Sequence, residues 1–419
     1  MRILYLVPYT PNPVRTRPYN LIRALSKSGH EVTVLTLVQD DAEMTDVASL
    51  SAAGARVMVW PLRRGRSYAN SAAAILGGEP LQAAYCWQPG LAAALRDQLQ
   101  NEPFDVVHVE HLRGARYARL AKATLAAIGS PTPVVWDSVD CISHLFRQAS
   151  VHSASPFGRF ISRLDLPRTE RYERLLVREF DAVLTTSPAD RDALVELANE
   201  DGKADPPVHV LPNGVDLEAF RPDPTIDREP ATLVLSGKMS YHANVTMVFY
   251  LVNEILPRVW DKRPDVRLMI VGKDPPVEVR ALASDPRVTV TGMVPDLRPF
   301  LNQATMAVAP LVYNAGIQNK LLEAMACGAP VVTTPNAIQG LPIEPGHHLL
   351  VGDGPSELAE AVHGLLEQPE RGQALSVAGR EYVTQHHDWS EVGDRLTAIY
   401  DSVQTEYYIG KLSHQMRQS

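Results

Sequence analysis

Several chemically informative residue types are scarce in this chain. It has only three cysteines in 419 residues, and none of them forms a Cys-x-x-Cys pair. So few thiols exclude a disulfide framework and a thiolate-based zinc site, and they suit a reducing compartment. No run of 18 apolar residues occurs, so no membrane-spanning helix is predicted, and the N-terminal run "ILYLV" is too short for a signal peptide. We therefore expect a cytoplasmic protein.

The chain also lacks an excess of positive charge. Its formal net charge is −8, which argues against a nucleic-acid partner. The acidic excess lies in the second half, since residues 1–205 hold 23 basic and 23 acidic side chains. Basic clusters in the first half, at Arg63–Arg66 and between Arg159 and Arg178, suit either an anionic membrane surface or solvated helix faces. Both alternatives stay open at this point.

What is present is a repeated alternation of short apolar runs and amphipathic stretches. Runs such as "RILYLV" and "FDVVHVEH" alternate with helical patterns, and "ATLVLSG" and "RLMIVG" restart the pattern after a proline-rich segment. Strands that are apolar throughout indicate parallel sheets covered on both faces. The sequence predicts an α/β protein with two doubly wound, Rossmann-like domains facing across a cleft. The expected boundaries are 1–215 for the first domain, 216–229 for a linker, 230–385 for the second domain and 386–419 for a helical tail.

Two turns at predicted strand ends carry chemistry suited to a ligand, and such sheets bind ligands at the carboxyl ends of their strands. Gly237 and Lys238 form the first of these turns and follow "ATLVLS". A glycine permits close backbone approach, and a lysine adds a point cation suited to phosphate. The alternative is a strand-end glycine followed by a surface lysine.

The second turn belongs to the stretch "GIQNKLLEAMACG". Residues Gly316–Asn319 precede or open a helix, whose N–H groups and dipole favour an anion, and Lys320 adds positive charge. Glu323 lies one turn into this helix, where a carboxylate can accept hydrogen bonds from a ribose diol. The alternative is an exposed Lys320–Glu323 helix pair worth about 0.2–0.5 kcal/mol.

These residues resemble the donor-nucleotide signature of the retaining glycosyltransferases of family four, which have the GT-B fold. Glu323 matches the second glutamate of that signature, Gly316 its first glycine, and "AMACGAPVV" its tail. Further motifs follow in the family's order, at Gly29–Thr36, Asn213–Asp216 with Phe220, Gly237 with Met239 and Asn244, and Val288 with Gly292, Val294 and Asp296. The stretches "GIQNKLLEAMA" and "VWDSVDCISHLFRQAS" are similar to those of sugar transferases of bacterial exopolysaccharide loci.

The resemblance implies transfer of a sugar from a nucleotide diphosphate-sugar with retention at the anomeric carbon. UDP-sugars are favoured, with GDP-sugars as an alternative. Glu323 is implied to bind the ribose, and the backbone at Met293 and Val294 the base. The groups expected to bind the diphosphate or to stabilise its leaving charge are Gly237, Lys238, Lys320, Arg17, Gly316, Ile317, Gln318 and Asn319. No acidic pair at metal-ligand spacing lies near these turns, so neither a metal nor another cofactor is expected.

The chain departs from the family at the first glutamate of the signature. Ala315 occupies that position. In the family that carboxylate reaches hydroxyls of the transferred sugar. Two hypotheses are a substitute among Gln318, Asn319 and Lys320, or an unusual donor sugar that is deoxygenated or acidic. Ala315 also leaves open a non-catalytic nucleotide-sugar-binding relative, and the shared fold leaves open a sugar-nucleotide epimerase.

The first domain is expected to bind the acceptor, which is a glycan, a lipid-linked sugar or a small molecule. Arg15 and Arg17 replace a Gly-Gly pair of many relatives and are expected to face phosphates or an anionic acceptor. His111 ends a strand where relatives contact sugar hydroxyls, and Asp137 or Asp140 is expected to orient the acceptor hydroxyl. The tail helix is expected to cross back to this domain. Relatives that extend lipid-linked sugars often sit on the inner membrane face, so peripheral contact there is a further expectation.

Overall fold

The structure is a computed structural model that describes residues 1–13, 15–153, 155–199, 207–339 and 341–418. Its contacts divide the chain into two compact units. Unit 1 comprises residues 1–144, 165–212 and 389–419, and unit 2 comprises residues 145–164 and 213–388.

Unit 1 is built on a parallel sheet. Within the described residues, seven strands pair in the order β3-β2-β1-β4-β5-β6-β7. These strands are β1 (Arg2–Val7), β2 (Glu31–Val38), β3 (Arg56–Pro61), β4 (Val106–Glu110), β5 (Val134–Val139), β6 (Ala182–Thr185) and β7 (Val208–Val210). The central strands β1, β4 and β6 are buried at almost every position, because helices cover both faces of a parallel sheet.

Helices connect these strands in chain order. They are α1 (Thr16–Lys27), α2 (Glu43–Ala52), α3 (Arg64–Gly77), α4 (Leu81–Tyr85), α5 (Pro89–Asn101), α6 (Ala115–Ala127), α7 (Ile142–His152), α8 (Pro156–Glu179) and α9 (Pro188–Asn199). Unit 1 is completed by α17 (Trp389–Gln418), whose Leu396 and Tyr400 join the same core as Leu21 and Ile22 of α1. At Gly393 a Cβ would lie 2.7 Å from Ala24 Cβ, so a glycine permits this close helix approach.

Unit 2 repeats the architecture. In its described part, six parallel strands pair in the order β10-β9-β8-β11-β12-β13. They are β8 (Glu229–Ser236), β9 (Arg267–Val271), β10 (Val288–Gly292), β11 (Ala304–Ala309), β12 (Val331–Thr333) and β13 (Leu350–Val351). The helices are α10 (His242–Tyr250), α11 (Leu256–Lys262), α12 (Val277–Ala281), α13 (Arg298–Gln303), α14 (Asn319–Ala326), α15 (Pro355–Glu367) and α16 (Pro369–His386). The predicted fold class of two Rossmann-like α/β domains is confirmed.

The largest difference between the observed units and the predicted domains concerns one segment of the first half. Residues 145–164 lie inside the predicted first domain but belong to unit 2. The reason is an apolar cluster in which Leu145 and Ala149 of α7 pack with Ala243 and Tyr313. A local sequence pattern carries no information about such a long-range contact, so the boundary of 1–215 requires this correction.

The predicted linker of residues 216–229 is a packed segment of unit 2. Arg228 donates hydrogen bonds to the carbonyl oxygens of Ala304 and Gly328, both at 2.6 Å. Asn302 adds a bond from its amide to Arg221 O at 3.2 Å. These contacts attach the segment to β11 and to the turn after α14, so its proline-rich composition does not make it a free connection.

Among the described residues, the helices are all too short or too polar to cross a membrane.

Candidate active site

Three strand ends meet at the carboxyl edge of the unit 2 sheet. Gly237, Gly272 and Gly292 follow or end β8, β9 and β10 and have positive φ angles of 152°, 157° and 70°. Gly237 N donates to Val271 O at 3.0 Å, and Gly272 N donates to Gly292 O at 3.2 Å. A Cβ on Gly272 would lie 1.7 Å from Gly237 O, so no side chain fits between these turns. The edge therefore presents bare backbone to a ligand.

Asn244 of α10 links the two turns that the sequence singled out. Its Nδ2 donates to Lys238 O at 3.0 Å, and its Oδ1 accepts from Lys320 Nζ at 3.1 Å. A Cβ on Gly237 would lie 2.7 Å from Asn244 Nδ2, so this position also needs glycine. The sequence identified Asn244 only as a motif match, and its bridging role is visible only in the structure. Lys238 itself is exposed.

The second turn leads into α14. Gly316 adopts the left-handed conformation with φ at 64°, and the helix begins at Asn319 after Gln318. A helix start at a strand end concentrates N–H dipoles in one place and favours an anion there. Asn213 Nδ2 donates to Asn319 Oδ1 at 3.1 Å, which ties the first residue of α14 to the segment after β7.

The ammonium group of Lys320 is directed toward the carboxyl edge of the unit 2 sheet, where it contacts Asn244, and it is not directed toward Glu323 on its own helix. Its ammonium group donates to Asn244 Oδ1 and, at 2.9 Å, to Gln318 Oε1. An ammonium has three N–H donors, and the third has no protein partner among the described residues. Burial lowers the pKa of Lys320 to about 8, against an opposing effect of Glu323. The group is thus positioned to contact an anion.

The carboxylate of Glu323 makes no hydrogen bond and no ion pair within the part of the chain that the structure describes. The alternative of a Lys320–Glu323 helix ion pair is therefore wrong. Burial raises the pKa of Glu323 to about 7, while the positive charge of Lys320 acts in the opposite direction. A half-buried carboxylate without a protein partner is costly unless a ligand supplies donors. Its position in α14 leaves it available to hydroxyl groups.

Ala315 lies against an apolar cluster, at the position where the resemblance expects a carboxylate. It packs beside Leu145, Ala149 and Tyr313. The adjacent Asn314 is paired with Gln148 of α7 through two hydrogen bonds, at 3.1 and 3.3 Å. Sequence reasoning missed Gln148, because nothing in a local pattern signals that α7 contacts this turn. Of the proposed substitutes for the carboxylate, Gln318 donates to Ala315 O at 3.2 Å.

The residues expected to line the base follow Gly292 at the same edge of the sheet. Met293 is 78% exposed, and Val294 packs partly against the unit 2 core. The backbone here follows directly from the strand end that contacts Gly272. The location is compatible with the predicted role, which stays a prediction.

Arg17 of unit 1 is placed differently from the sequence expectation. Only 4% of its surface is exposed, and its Nε and a terminal nitrogen both lie 2.8 Å from Asp137 Oδ2. It also donates to Leu211 O at 3.0 Å. Asp137 is fully buried. The pair therefore joins α1, β5 and the end of β7 inside the unit, which corrects the expectations that Arg17 faces phosphates and that Asp137 orients an acceptor.

A buried polar network extends from this pair to the tail helix. Glu110 accepts hydrogen bonds from Tyr5 at 3.2 Å and from Tyr9 at 2.6 Å, and burial raises its pKa to about 8. His108 stacks on Tyr5, and its Nδ1 lies 2.8 Å from the hydroxyl of Tyr400 in α17. The network anchors α17 to the centre of the sheet.

His111 remains a candidate for contact with a sugar. It follows β4 with φ at 67° and ψ at 159°, an unfavourable conformation for a non-glycine residue. Burial and nearby Arg113 lower its pKa to about 3, so the ring is neutral. Arg113 N donates to Nδ1 at 3.2 Å, which leaves the proton on Nε2. The half-buried ring can therefore donate a hydrogen bond to a hydroxyl but cannot act as a cationic acid.

Asp140 and Arg15 lie nearer to solvent than Arg17 and Asp137. Asp140 is half-buried and accepts from the Thr186 hydroxyl at 3.3 Å, and burial together with Asp190 raises its pKa to about 7. Arg15 pairs with Glu43 at 3.1 Å. Of the two aspartates predicted to orient an acceptor hydroxyl, Asp140 is the one that the structure leaves accessible.

Comparison with protein families matches most of the chain. The family model described as "Glycosyl transferase 4-like domain" matches residues 14–214, and the one described as "Glycosyl transferases group 1" matches residues 230–368. The first match contains β2 to β7, and the second begins within β8 and extends through β13.

Two curated proteins illustrate the relatives. Alpha-maltose-1-phosphate synthase of Mycolicibacterium smegmatis is 35% identical over 118 residues, which are 26% of this chain and 30% of that protein. The GDP-mannose-dependent monoacylated alpha-(1-6)-phosphatidylinositol monomannoside mannosyltransferase of Corynebacterium glutamicum is 28% identical over 216 residues, which are 46% of this chain and 55% of that protein. The chain thus spans about a third and about half of the length of these relatives.

A solved structure supports the fold assignment over nearly the whole chain. Anabaena HepE in complex with UDP-glucose superposes with a TM-score of 0.66, covering 96% of this chain and 100% of HepE at 15% identity. A likeness at this identity establishes the fold alone, which is that of two Rossmann-like α/β domains.

Proposed function

The chain belongs to the group 1 glycosyl transferases, and from this premise we propose that it transfers a sugar from a nucleotide diphosphate-sugar to a glycan or lipid-linked acceptor. UDP-sugar is the favoured donor, because the resemblance in the sequence favours it and because HepE was solved with UDP-glucose. GDP-sugar is the second choice, since the similar mannosyltransferase is GDP-mannose-dependent. The proposed setting is bacterial exopolysaccharide or glycoconjugate synthesis.

The observation that carries the proposal is that a carboxylate without a protein partner and an ammonium held in a fixed direction lie close together at one edge of the sheet. Glu323 lacks a protein partner, and Lys320 is held by Asn244 with one N–H donor unused among the described residues. A carboxylate accepts from both hydroxyls of a ribose, and an ammonium beside a helix start binds a diphosphate. The spacing of one helical turn between them suits one nucleoside diphosphate.

Catalysis in this proposal is electrostatic and proceeds with retention. The bond between the anomeric carbon and the diphosphate oxygen breaks, and the acceptor hydroxyl forms the new bond on the same face. Its proton passes to the departing phosphate oxygen, so no enzyme nucleophile is needed. Lys320, Lys238 and the start of α14 stabilise the developing negative charge, which is where preorganised donors lower a barrier most. We assign no metal or other cofactor to this step.

His111 and Asp140 are the residues assigned to the acceptor side. The Nε2–H of His111 donates to a sugar hydroxyl, and Asp140 orients the acceptor hydroxyl. Arg17 and Asp137 hold the strand ends from which these residues project, since both are buried in their mutual ion pair.

Thermal unfolding with a panel of UDP, GDP, dTDP and ADP, free and as sugar conjugates, tests the donor assignment. One nucleotide should stabilise the protein saturably, and a ligand at about 100 times its dissociation constant adds about 2.7 kcal/mol. Glu323→Gln should abolish most of that shift, whereas Glu360→Gln on the exposed face of α15 should retain it. No shift with any nucleotide at millimolar concentration would refute the donor site.

Ala315 supports a second candidate, a nucleotide-sugar-binding protein without transferase activity. Turnover distinguishes the two functions. Release of nucleoside diphosphate that depends on an added glycan or lipid-linked acceptor identifies a transferase. Saturable binding without such release identifies the second candidate.

A further inference from the structure

His387 is a buried histidine directly after α16, and only 2% of its surface is exposed. Its Nδ1 lies 2.7 Å from Asn213 O, and its Nε2 lies 3.2 Å from the hydroxyl of Tyr382. A carbonyl oxygen only accepts hydrogen bonds, so in the neutral ring Nδ1 carries the proton and Nε2 accepts from the tyrosine. Because both ring nitrogens are bonded inside the protein, the ring has one tautomer and one orientation.

The residues that His387 contacts lie where the chain enters and leaves unit 2. The long segment of that unit begins at Asn213 and ends at Asp388. Val215 N donates to His387 O at 2.7 Å, and Val215 and Asp388 form a parallel bridge. The two ends of the segment are therefore joined through the backbone, and the ring of His387 adds a side-chain bond that holds Asn213 itself.

Asn213 continues the hydrogen bonding from His387 to α14. It is 7% exposed, and its Nδ2 donates to Asn319 Oδ1 at 3.1 Å. Asn319 is the first residue of α14, and the proposed function assigns the start of this helix to the diphosphate. Sequence reasoning used Asn213 only as a motif match and did not single out His387. The structure shows that the carbonyl of Asn213 is held by His387 while its amide group holds the start of α14.

The start of α14 and the body of α14 are held in different ways. Leu321 and Leu322 anchor the body of the helix in the unit 2 core. The contact from Asn213 to Asn319 adds a directional bond at the first residue, next to the N–H groups that have no partner within the helix. A misplacement of about 1 Å at a reacting site can cost about 10²-fold in rate. A bond at this point therefore affects the geometry of a bound ligand more than it affects the packing of the helix.

We propose that His387 is a positioning residue of the donor site, which acts through Asn213 on the first turn of α14. The hydrogen-bond chain from His387 through Asn213 to Asn319 sets the direction of the N–H groups that receive the diphosphate. His387 is buried and touches no ligand itself. The inference rests on the proposed function, because it assigns a residue to the same donor site.

Substitution of His387 tests the proposal by calorimetric titration with UDP, or with GDP if the nucleotide panel selects it. His387→Phe keeps a planar ring but removes both hydrogen bonds, and it should weaken nucleotide binding by about tenfold. His387→Asn should retain most of the affinity, because the amide nitrogen of asparagine and the Nδ1 of histidine are both attached to Cγ and reach the same carbonyl oxygen. His386→Phe, at the exposed neighbouring residue, is the matched control and should bind as the wild type does.

A double-mutant cycle tests whether His387 acts through Asn213. Asn213→Ala removes the amide group that contacts Asn319, so it should weaken nucleotide binding by a similar factor. In the Asn213→Ala background, His387→Phe should cause little further loss of affinity, because both substitutions interrupt the same hydrogen-bond chain. Urea unfolding of each variant is measured in parallel, so that affinities are compared only where the protein is folded. If His387→Phe does not fold, Asn213→Ala decides, and unchanged affinity in that variant overturns the proposal.

Two further outcomes would overturn the proposal. One is a loss of stability in His387→Phe with unchanged nucleotide affinity, which shows a purely structural role. The other is a pair of losses that add fully in the double-mutant cycle, which shows that His387 does not act through Asn213. Absence of nucleotide binding by the wild type is a separate result that refutes the donor site itself, so the failure of the proposed function and the failure of this inference are distinguishable.

Discussion

The side-chain amide of Gln148 pairs with the backbone of Asn314 in both directions. Nε2 donates to Asn314 O at 3.1 Å, and Asn314 N donates to Oε1 at 3.3 Å. The two residues are separated by 166 positions in the chain. The pairing fixes the backbone just before Gly316, so the geometry of the proposed diphosphate turn depends on a helix from the other half of the sequence.

Gln148→Ala should lower both stability and nucleotide affinity. Loss of the amide leaves backbone groups of Asn314 unpaired, at a cost of about 1–3 kcal/mol in the free energy of unfolding. Gln148→Glu keeps the acceptor but loses the donor, so its effect should be intermediate. Urea unfolding and calorimetric titration with UDP measure the two quantities.

The matched control for this position is Gln385→Ala, at an exposed residue of α16. It should change neither quantity. If Gln148→Ala lowers stability while UDP affinity stays unchanged, the pairing has only a structural role and does not position the donor turn.

Glu323→Gln should weaken UDP binding by about 1.5–3 kcal/mol, the usual contribution of hydrogen bonds to a charged group. A sharper comparison uses 2′-deoxy-UDP, which lacks one of the two ribose hydroxyls. Wild-type protein should bind the deoxy ligand more weakly than UDP, and the variant should hardly distinguish them. If calorimetry shows that wild type and variant prefer UDP over 2′-deoxy-UDP by the same factor, Glu323 does not bind the ribose.

The pH dependence of UDP binding should be bell-shaped. Burial raises the pKa of Glu323 to about 7, and only its carboxylate form accepts from the ribose, so affinity falls as the pH drops below that value. Burial lowers the pKa of Lys320 to about 8, and only its ammonium form binds phosphate, so affinity also falls as the pH rises above that value. Affinity should therefore be highest between about pH 7 and 8.

Single substitutions assign the two sides of this profile. Glu323→Gln should remove the part of the loss of UDP affinity at low pH that comes from the protein. Lys320→Met should remove the loss of UDP affinity at high pH. Calorimetry across the pH range provides the measurement. Persistence of the alkaline decrease in Lys320→Met would assign it to another group.

Lys320→Met should reduce kcat/KM by about 10²–10³-fold, the effect of removing one preorganised donor at a developing charge. Steady-state release of nucleoside diphosphate measures it once an acceptor is known. Lys262→Met removes an exposed lysine of the same unit and should leave the rate unchanged. A loss smaller than about threefold in the Lys320 variant would be well below that range and would remove this lysine from the mechanism.

Arg17→Met should lower the free energy of unfolding by about 3–5 kcal/mol, because it leaves the buried Asp137 carboxylate without its partner. The double variant Arg17→Met with Asp137→Asn should recover part of this loss. Urea unfolding of the single and double variants gives the coupling energy. A measured coupling energy below about 1 kcal/mol is the value expected of an exposed ion pair, and it would contradict the buried arrangement of Arg17 and Asp137.

The sequence located the two turns at the strand ends of unit 2 for a local reason. Gly237, Gly316 and the helix that carries Glu323 are specified within a few residues by strand ends, positive-φ turns and a helix start. These features depend on backbone sterics and short-range hydrogen bonding, which a chain segment encodes by itself. The alternation of apolar strands with helices likewise determined the two parallel sheets.

Only the tertiary structure decided which charged groups are available to a ligand. Arg17 and Asp137 are 120 positions apart and neutralise each other in the interior, whereas Glu323 and Lys320 are neighbours on one helix and do not pair. The direction of a side chain and its long-range partners follow from packing and from the cost of burying an unpaired charge. The sequence by itself determined the fold and the place of the two turns at the strand ends, and packing across distant segments determined which charged side chains are engaged inside the protein.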